Sequence, residues 1–226
     1  MKRFNYKFII RLLLFCFLTC ITSLKSHAAN LESANVINVE LFNSLPQIES
    51  TSIIHKLISA LPDEVLLYQR AKGGELVFVT DLTPYIENIT FAENIDKKMI
   101  CGIYQGATEN IYVKLNMSDE LYPEEITCIA HEYGHLLYHT LHNEWMHPIR
   151  EYFQIMYYSN KGKNPHCYNE DETFAVKYSE YKYLQAIGTQ RAYYGEKYQD
   201  IDQNMIDFFE KNEEMLLKKY NSMVEQ

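Results

Sequence analysis

The spacing of apolar positions along the chain changes near residue 118. Before that point apolar residues fall in short runs and alternations; beyond it they recur every three or four positions, the period of a helix buried on one side. In the first part, residues 36–41 read as a strand, and Ile53, Ile54, Leu57, Ile58 and Leu61 form the stripe of an amphipathic helix. Pro62 followed by Asp63 and Glu64 starts a second short helix, because proline suits the first helical position and acids suit the positive end of the helix dipole. Gly73-Gly74 is a turn into the β-rich run 76–80, which Asp81 and Pro84 end. A further strand is expected at 100–104. After the turn signal at 105–109, Ile111, Val113 and Leu115 alternate with polar neighbours, the pattern of a strand with one wet face. Four helices are expected thereafter, over 123–142, 148–158, 169–186 and 202–220, each opened by Pro, Asn or Asp. A small sheet followed by helices belongs to the α+β class. No repeat, low-complexity tract or linker divides the chain, so residues 29–226 are expected as one domain, with a sheet-containing lobe at 29–118 and a helical lobe at 119–226.

The first 28 residues have a separate logic. Lys2, Arg3, Lys7 and Arg11 precede an apolar run over 12–21, and Ser26-His27-Ala28 has the small-x-small form of a cleavage site. The run falls short of the roughly 20 residues of a spanning helix, so the segment is expected as a cleaved signal peptide, giving a secreted, extracellular protein with no stable membrane insertion. Cleavage would remove five basic residues and no acidic one, taking the formal charge from −9 to −14. So acidic a chain is a poor partner for nucleic acid or an anionic membrane. Cys16 and Cys20 would leave with the signal, and Cys101, Cys128 and Cys167 are an odd number, which implies no disulfide framework.

Candidate chemistry sits in the first of the four helices. In His131-Glu132-Tyr133-Gly134-His135 the two histidines are four residues apart, so both imidazoles stand on one helix face and can reach one metal. Glu132 lies about 100° around the helix, where a carboxylate can take a proton from water at a metal without coordinating it. An apolar stripe of Ile126, Ile129, Ala130, Tyr133, Leu137 and Leu141 occupies another face, as a helix buried on one side requires. His139 and His142 extend the histidine face, either as part of a wider site or as half-exposed polar residues near the helix end. Cys128, one turn before His131, is either a packed thiol or a fourth soft ligand that would close the site to hydrolysis.

A catalytic zinc needs a third protein ligand. The extended form of the motif would put a histidine at position 141, which is leucine. A glutamate from a later helix remains, and the segment 169–175 offers Glu172, with Glu170 in reserve. The same segment has the form of a capping box, with Asn169 as N-cap and Glu172 three residues on. Capping and ligation compete for the one carboxylate.

The motif 131–135 followed by Asn169-Glu170-Asp171-Glu172-Thr173-Phe174-Ala175 resembles the catalytic domain shared by anthrax toxin lethal factor and the secreted Pro-Pro endopeptidases. The resemblance extends more loosely over residues 36–220. It implies a zincin-like fold, a small mixed sheet with an edge strand beside the HExxH helix and a helical C-terminal lobe. It also implies zinc peptidase activity with Glu172 as third ligand. Thr173 stands where the family has an aromatic residue. The family tyrosine that supports the oxyanion falls at Pro165, which leaves His166 or Tyr168 as substitutes, and Tyr168 is preferred because a phenol can donate to a developing negative charge. A further family glutamate falls at Val176, so its outer carboxylate is missing.

The expected function is a secreted zinc metalloendopeptidase. His131, His135 and Glu172 hold Zn2+, Glu132 is the general base, Tyr168 stabilises the oxyanion, and a peptide or protein substrate pairs along strand 110–115. The alternatives are a noncatalytic secreted zinc-binding or adhesion module descended from such a peptidase, and an intracellular regulatory peptidase should the N-terminal segment not be a signal.

Overall fold

A computed structural model of the chain describes residues 34–46, 48–87, 100–116, 123–162, 167–188 and 201–225. The expected signal segment, the lobe boundary at 118, Pro165 and His166 lie outside the described residues.

The chain opens with strand β1 (Val36–Ile37), helix α1 (Val39–Asn43), helix α2 (Glu49–Ala60) and helix α3 (Asp63–Ala71). Strand β2 (Leu76–Val79) and a one-turn helix α4 (Thr83–Ile86) follow, then strands β3 (Gly102–Gln105) and β4 (Asn110–Lys114). The remainder is helical: α5 (Pro123–Leu141), α6 (Ile149–Asn160), α7 (Glu170–Ile187) and α8 (Gln203–Val224). This is an α+β fold, a small mixed sheet with a helical C-terminal part. No described helix is long and apolar enough to cross a membrane.

The strands are ordered β1-β2-β4-β3. The first three are parallel to one another, and β3 runs antiparallel to β4, with Ile103 opposite Tyr112. Strand β4 is therefore interior, its two ladders taken by β2 and β3. The expectation that a substrate pairs along 110–115 is corrected here: among the described residues the open edge on that side is β3. Alternating hydrophobicity reports which face of a strand is buried, and Ile111 and Val113 are indeed buried, but it carries no information about lateral neighbours. The expected strand 36–41 is also shortened to two residues. Asn38 takes a left-handed conformation (φ 60°), its side-chain amide donates to the Phe78 carbonyl at 2.9 Å, and the chain turns directly into α1.

Helix α5 lies between the sheet and α7. The predicted stripe of Ile126, Ile129, Ala130, Tyr133, Leu137 and Leu141 is buried throughout, and so are Cys128, Leu136 and Tyr138, so the helix is enclosed further round than a half-buried pattern implies. Tyr133 donates its hydroxyl to Gln69 Oε1 at 2.8 Å, and the Gln69 amide donates to the carbonyls of Glu75 and Glu109 at 3.1 and 2.9 Å. Through this buried amide α3 joins the motif helix to the β3–β4 hairpin, with each polar group satisfied. Helices α7 and α8 begin as expected: Asn169 Oδ1 accepts from the Glu172 N–H at 2.7 Å, and Asp202 Oδ1 from the Met205 N–H at 2.9 Å. Gly188, at φ 78°, ends α7 in the left-handed conformation that favours glycine.

Candidate metal centre

His131 and His135 emerge from the middle of α5, where the helix is held on both sides and their backbone positions are fixed by packing. Their Nε2 atoms are 3.1 Å apart. Two lone pairs facing each other at that distance repel, and the arrangement is satisfied only by a shared proton or a shared cation. Glu172 enters from the first turn of α7, with Oε2 3.4 Å from His131 Nε2 and Oε1 3.8 Å from His135 Nε2. The three side chains form the one group of potential metal ligands found among the described residues. Donors each about 2.0–2.1 Å from one tetrahedral ion stand roughly 3.3 Å apart. The observed separations, measured to the two Glu172 oxygens in turn, bracket that value, so the group could hold a single ion.

The approach of α7 is permitted by small residues at the crossing. A methyl group on Gly134 would come within 2.7 Å of Ala175 Cα, and those two residues lie one turn beyond the first histidine and the glutamate. Competition between capping and ligation at Glu172 resolves by division: its main-chain N–H completes the Asn169 cap, while its carboxylate faces the two imidazoles and accepts from the Tyr168 hydroxyl at 3.1 Å. Glu170 is directed away. Its carboxylate accepts from Gln154 at 3.0 Å and Tyr138 at 3.3 Å, and it tethers α6 and α5 instead.

Glu132 is buried at 5 % exposure, beside the candidate ligands and outside their group. Strand β3 passes directly over it: a methyl group on Gly102 would lie 2.8 Å from Glu132 Cγ and 2.9 Å from Oε1, and the Tyr104 backbone N–H donates to the carboxylate. Burial raises the Glu132 pKa, against the lowering effect of His131, His135 and that N–H.

Asp171 is a residue that sequence reasoning did not assign. Its Oδ1 lies 2.6 Å from His135 Nδ1 and its Oδ2 2.9 Å from His139 Nε2. Burial lowers the His135 pKa, but the hydrogen bond and charge of Asp171, with the charges of Glu172 and Glu132, outweigh it and push the ring up to about 9. Burial opposes ionisation of Glu172 too, yet the two histidines bring it down to about 2. Glu132, Asp171 and Glu172 thus surround two imidazoles with three carboxylates, an excess of negative charge that a divalent cation would balance. The His131 Nδ1, by contrast, is buried and has no hydrogen-bond partner among the described residues.

The remaining candidates separate cleanly. Tyr168 reaches the centre through Glu172, and burial followed by that carboxylate's charge raises its pKa, so it stays a donor at neutral pH. Cys128 packs against Gly102, is not in the ligand group, and has its thiol pushed well above the ordinary range by burial. His139 touches the site through Asp171, whereas His142 bonds the Tyr138 carbonyl at 2.9 Å and stacks on that ring. The only signal that could have singled out Asp171 is the acidic run 170–172, which does not say which acid faces the histidines. Comparison of the chain with models of known protein families and with curated proteins finds no match to either.

Proposed function

We propose that this protein is a secreted zinc metallopeptidase of the zincin type, similar to the lethal factor-like peptidases, with His131, His135 and Glu172 as ligands and Glu132 as general base. The observation that carries the reading is the convergence of two imidazole nitrogens and a carboxylate at 3.1, 3.4 and 3.8 Å, with the buried carboxylate of Glu132 beside them but not among them. Two nitrogens and one oxygen are a donor set suited to zinc, and three protein ligands leave a position open.

Bound there, zinc would polarise a water molecule and the scissile carbonyl. Glu132 accepts a proton from the attacking water and returns it to the amine nitrogen as the C–N bond breaks, so the peptide and one water become a carboxylic acid and an amine. Its orientation for this work comes from β3, through the close approach at Gly102 and the Tyr104 N–H. Tyr168, whose hydroxyl lies at the ligand carboxylate, supplies a donor for the carbonyl oxygen as negative charge develops on it. An extended substrate peptide pairs with the open edge of β3, which brings its backbone alongside Glu132. Secretion rests on the basic and apolar pattern of residues 1–28. A noncatalytic zinc-binding module would have no use for a carboxylate held in this way.

Glu132→Gln tests the assignment. Hydrolysis of a mixed peptide library, read by mass spectrometry, should fall about 10²- to 10⁴-fold, with zinc content unchanged. Undiminished cleavage by the variant would contradict the mechanism.

A further inference from the structure

We propose that Asp171 is the positioning residue of the metal centre, clamping the ligand His135 through its far ring nitrogen while braced on its other side by His139. The inference rests on the metal-site reading above and goes beyond it.

Helix geometry makes the clamp possible. His135 and His139 are four residues apart and project from one face of α5. Asp171 enters from α7 and spans them with its two oxygens, at 2.6 Å to His135 Nδ1 and 2.9 Å to His139 Nε2. Its neighbour Glu172 leaves the helix about 100° further round and reaches the Nε2 atoms instead. Two adjacent acids on α7 therefore divide the work, one toward the coordinating nitrogens and one toward the nitrogen behind them. A carboxylate on Nδ1 holds the proton there, leaves the Nε2 lone pair free for an ion, and fixes the ring plane. Among the described residues no other carboxylate touches the far nitrogen of either ligand histidine, and His131 Nδ1 has no partner at all. The orienting function is thus concentrated on His135. His139, 48 % exposed, leaves one side of the clamp reachable by solvent.

An alternative is that Asp171 merely ties α5 to α7 as a packing ion pair. Zinc affinity by chelator competition and the His135 ring tautomer by long-range proton–nitrogen NMR, both on the full protein, separate the two. In the zinc-loaded wild type, His135 is expected to be protonated on Nδ1 and coordinated through Nε2. Asp171→Asn should weaken zinc binding about 10- to 100-fold. His139→Gln, at a half-exposed position where folding is not at stake, should weaken it by a smaller factor while keeping the tautomer. The proposal is overturned if D171N binds zinc as tightly as wild type, or if His135 binds metal through Nδ1. Should D171N fail to fold, the wild-type tautomer and the H139Q affinity decide the matter. A wild-type protein that binds no zinc would overturn the metal reading itself, a result seen before any variant is compared.

Discussion

A methyl group at position 102 would lie 2.5 Å from Cys128 Sγ and 2.8 Å from Glu132 Cγ, closer than real side-chain atoms approach. Glycine there lets β3 press onto Glu132, the proposed general base, so Gly102→Ala should push that side chain aside while leaving the proposed metal ligands in place. Misplacement of a catalytic group by about 1 Å can cost on the order of 10²-fold. The expected result is a fall of about that size in kcat/KM for peptide cleavage, with zinc content by elemental analysis unchanged. At this scale part of the candidate site was legible. His131, Glu132 and His135 are legible because a helix converts their spacing directly into relative position. Glu172 was ambiguous, since its main-chain N–H completes the cap while its carboxylate faces the histidines. The Gly102 contact was not legible, because it depends on how a strand far away in sequence crosses the helix.

Between elements, the decisive contact is the crossing of α5 and α7. A methyl on Gly134 would meet Ala175 Cα at 2.7 Å, its carbonyl oxygen at 3.2 Å and its Cβ at 3.3 Å. Gly134→Ala should force the helices apart. We expect a loss of about 1–3 kcal/mol in stability by urea unfolding, the usual cost of overpacking, together with weaker zinc binding by chelator competition. A second junction is electrostatic. Lys182 on α7, 1 % exposed, pairs with Glu213 on α8, which also accepts from the Tyr178 hydroxyl at 2.9 Å. Glu213→Ala takes the carboxylate from a buried ammonium group and leaves it only the Gln185 side chain and two tyrosine rings, and chemical unfolding should show about 3–5 kcal/mol of destabilisation. The helices themselves were legible from their caps and period; their mutual approach was not, because a lone glycine and a lone alanine announce no partner. Nor did the alternation of residues 110–115 reveal that β4 is interior, since periodicity distinguishes faces and says nothing of edges.

Across the whole molecule, the sheet, α5 and α7 serve one arrangement: two imidazoles from one helix, a carboxylate from another, and a second, buried carboxylate beneath a strand. The α+β class was legible because the change in apolar period near residue 118 is a property of the chain itself. Convergence of candidate ligands 37 residues apart was an expectation, and the 3.1–3.8 Å separations are what support it. X-ray absorption at the zinc edge of the zinc-loaded protein tests that convergence most directly. The account predicts one zinc per chain with nitrogen and oxygen neighbours at about 2.0–2.1 Å, two of them imidazoles, and no sulfur. A zinc–sulfur distance near 2.3 Å, or a spectrum unchanged by Glu172→Ala, would contradict it.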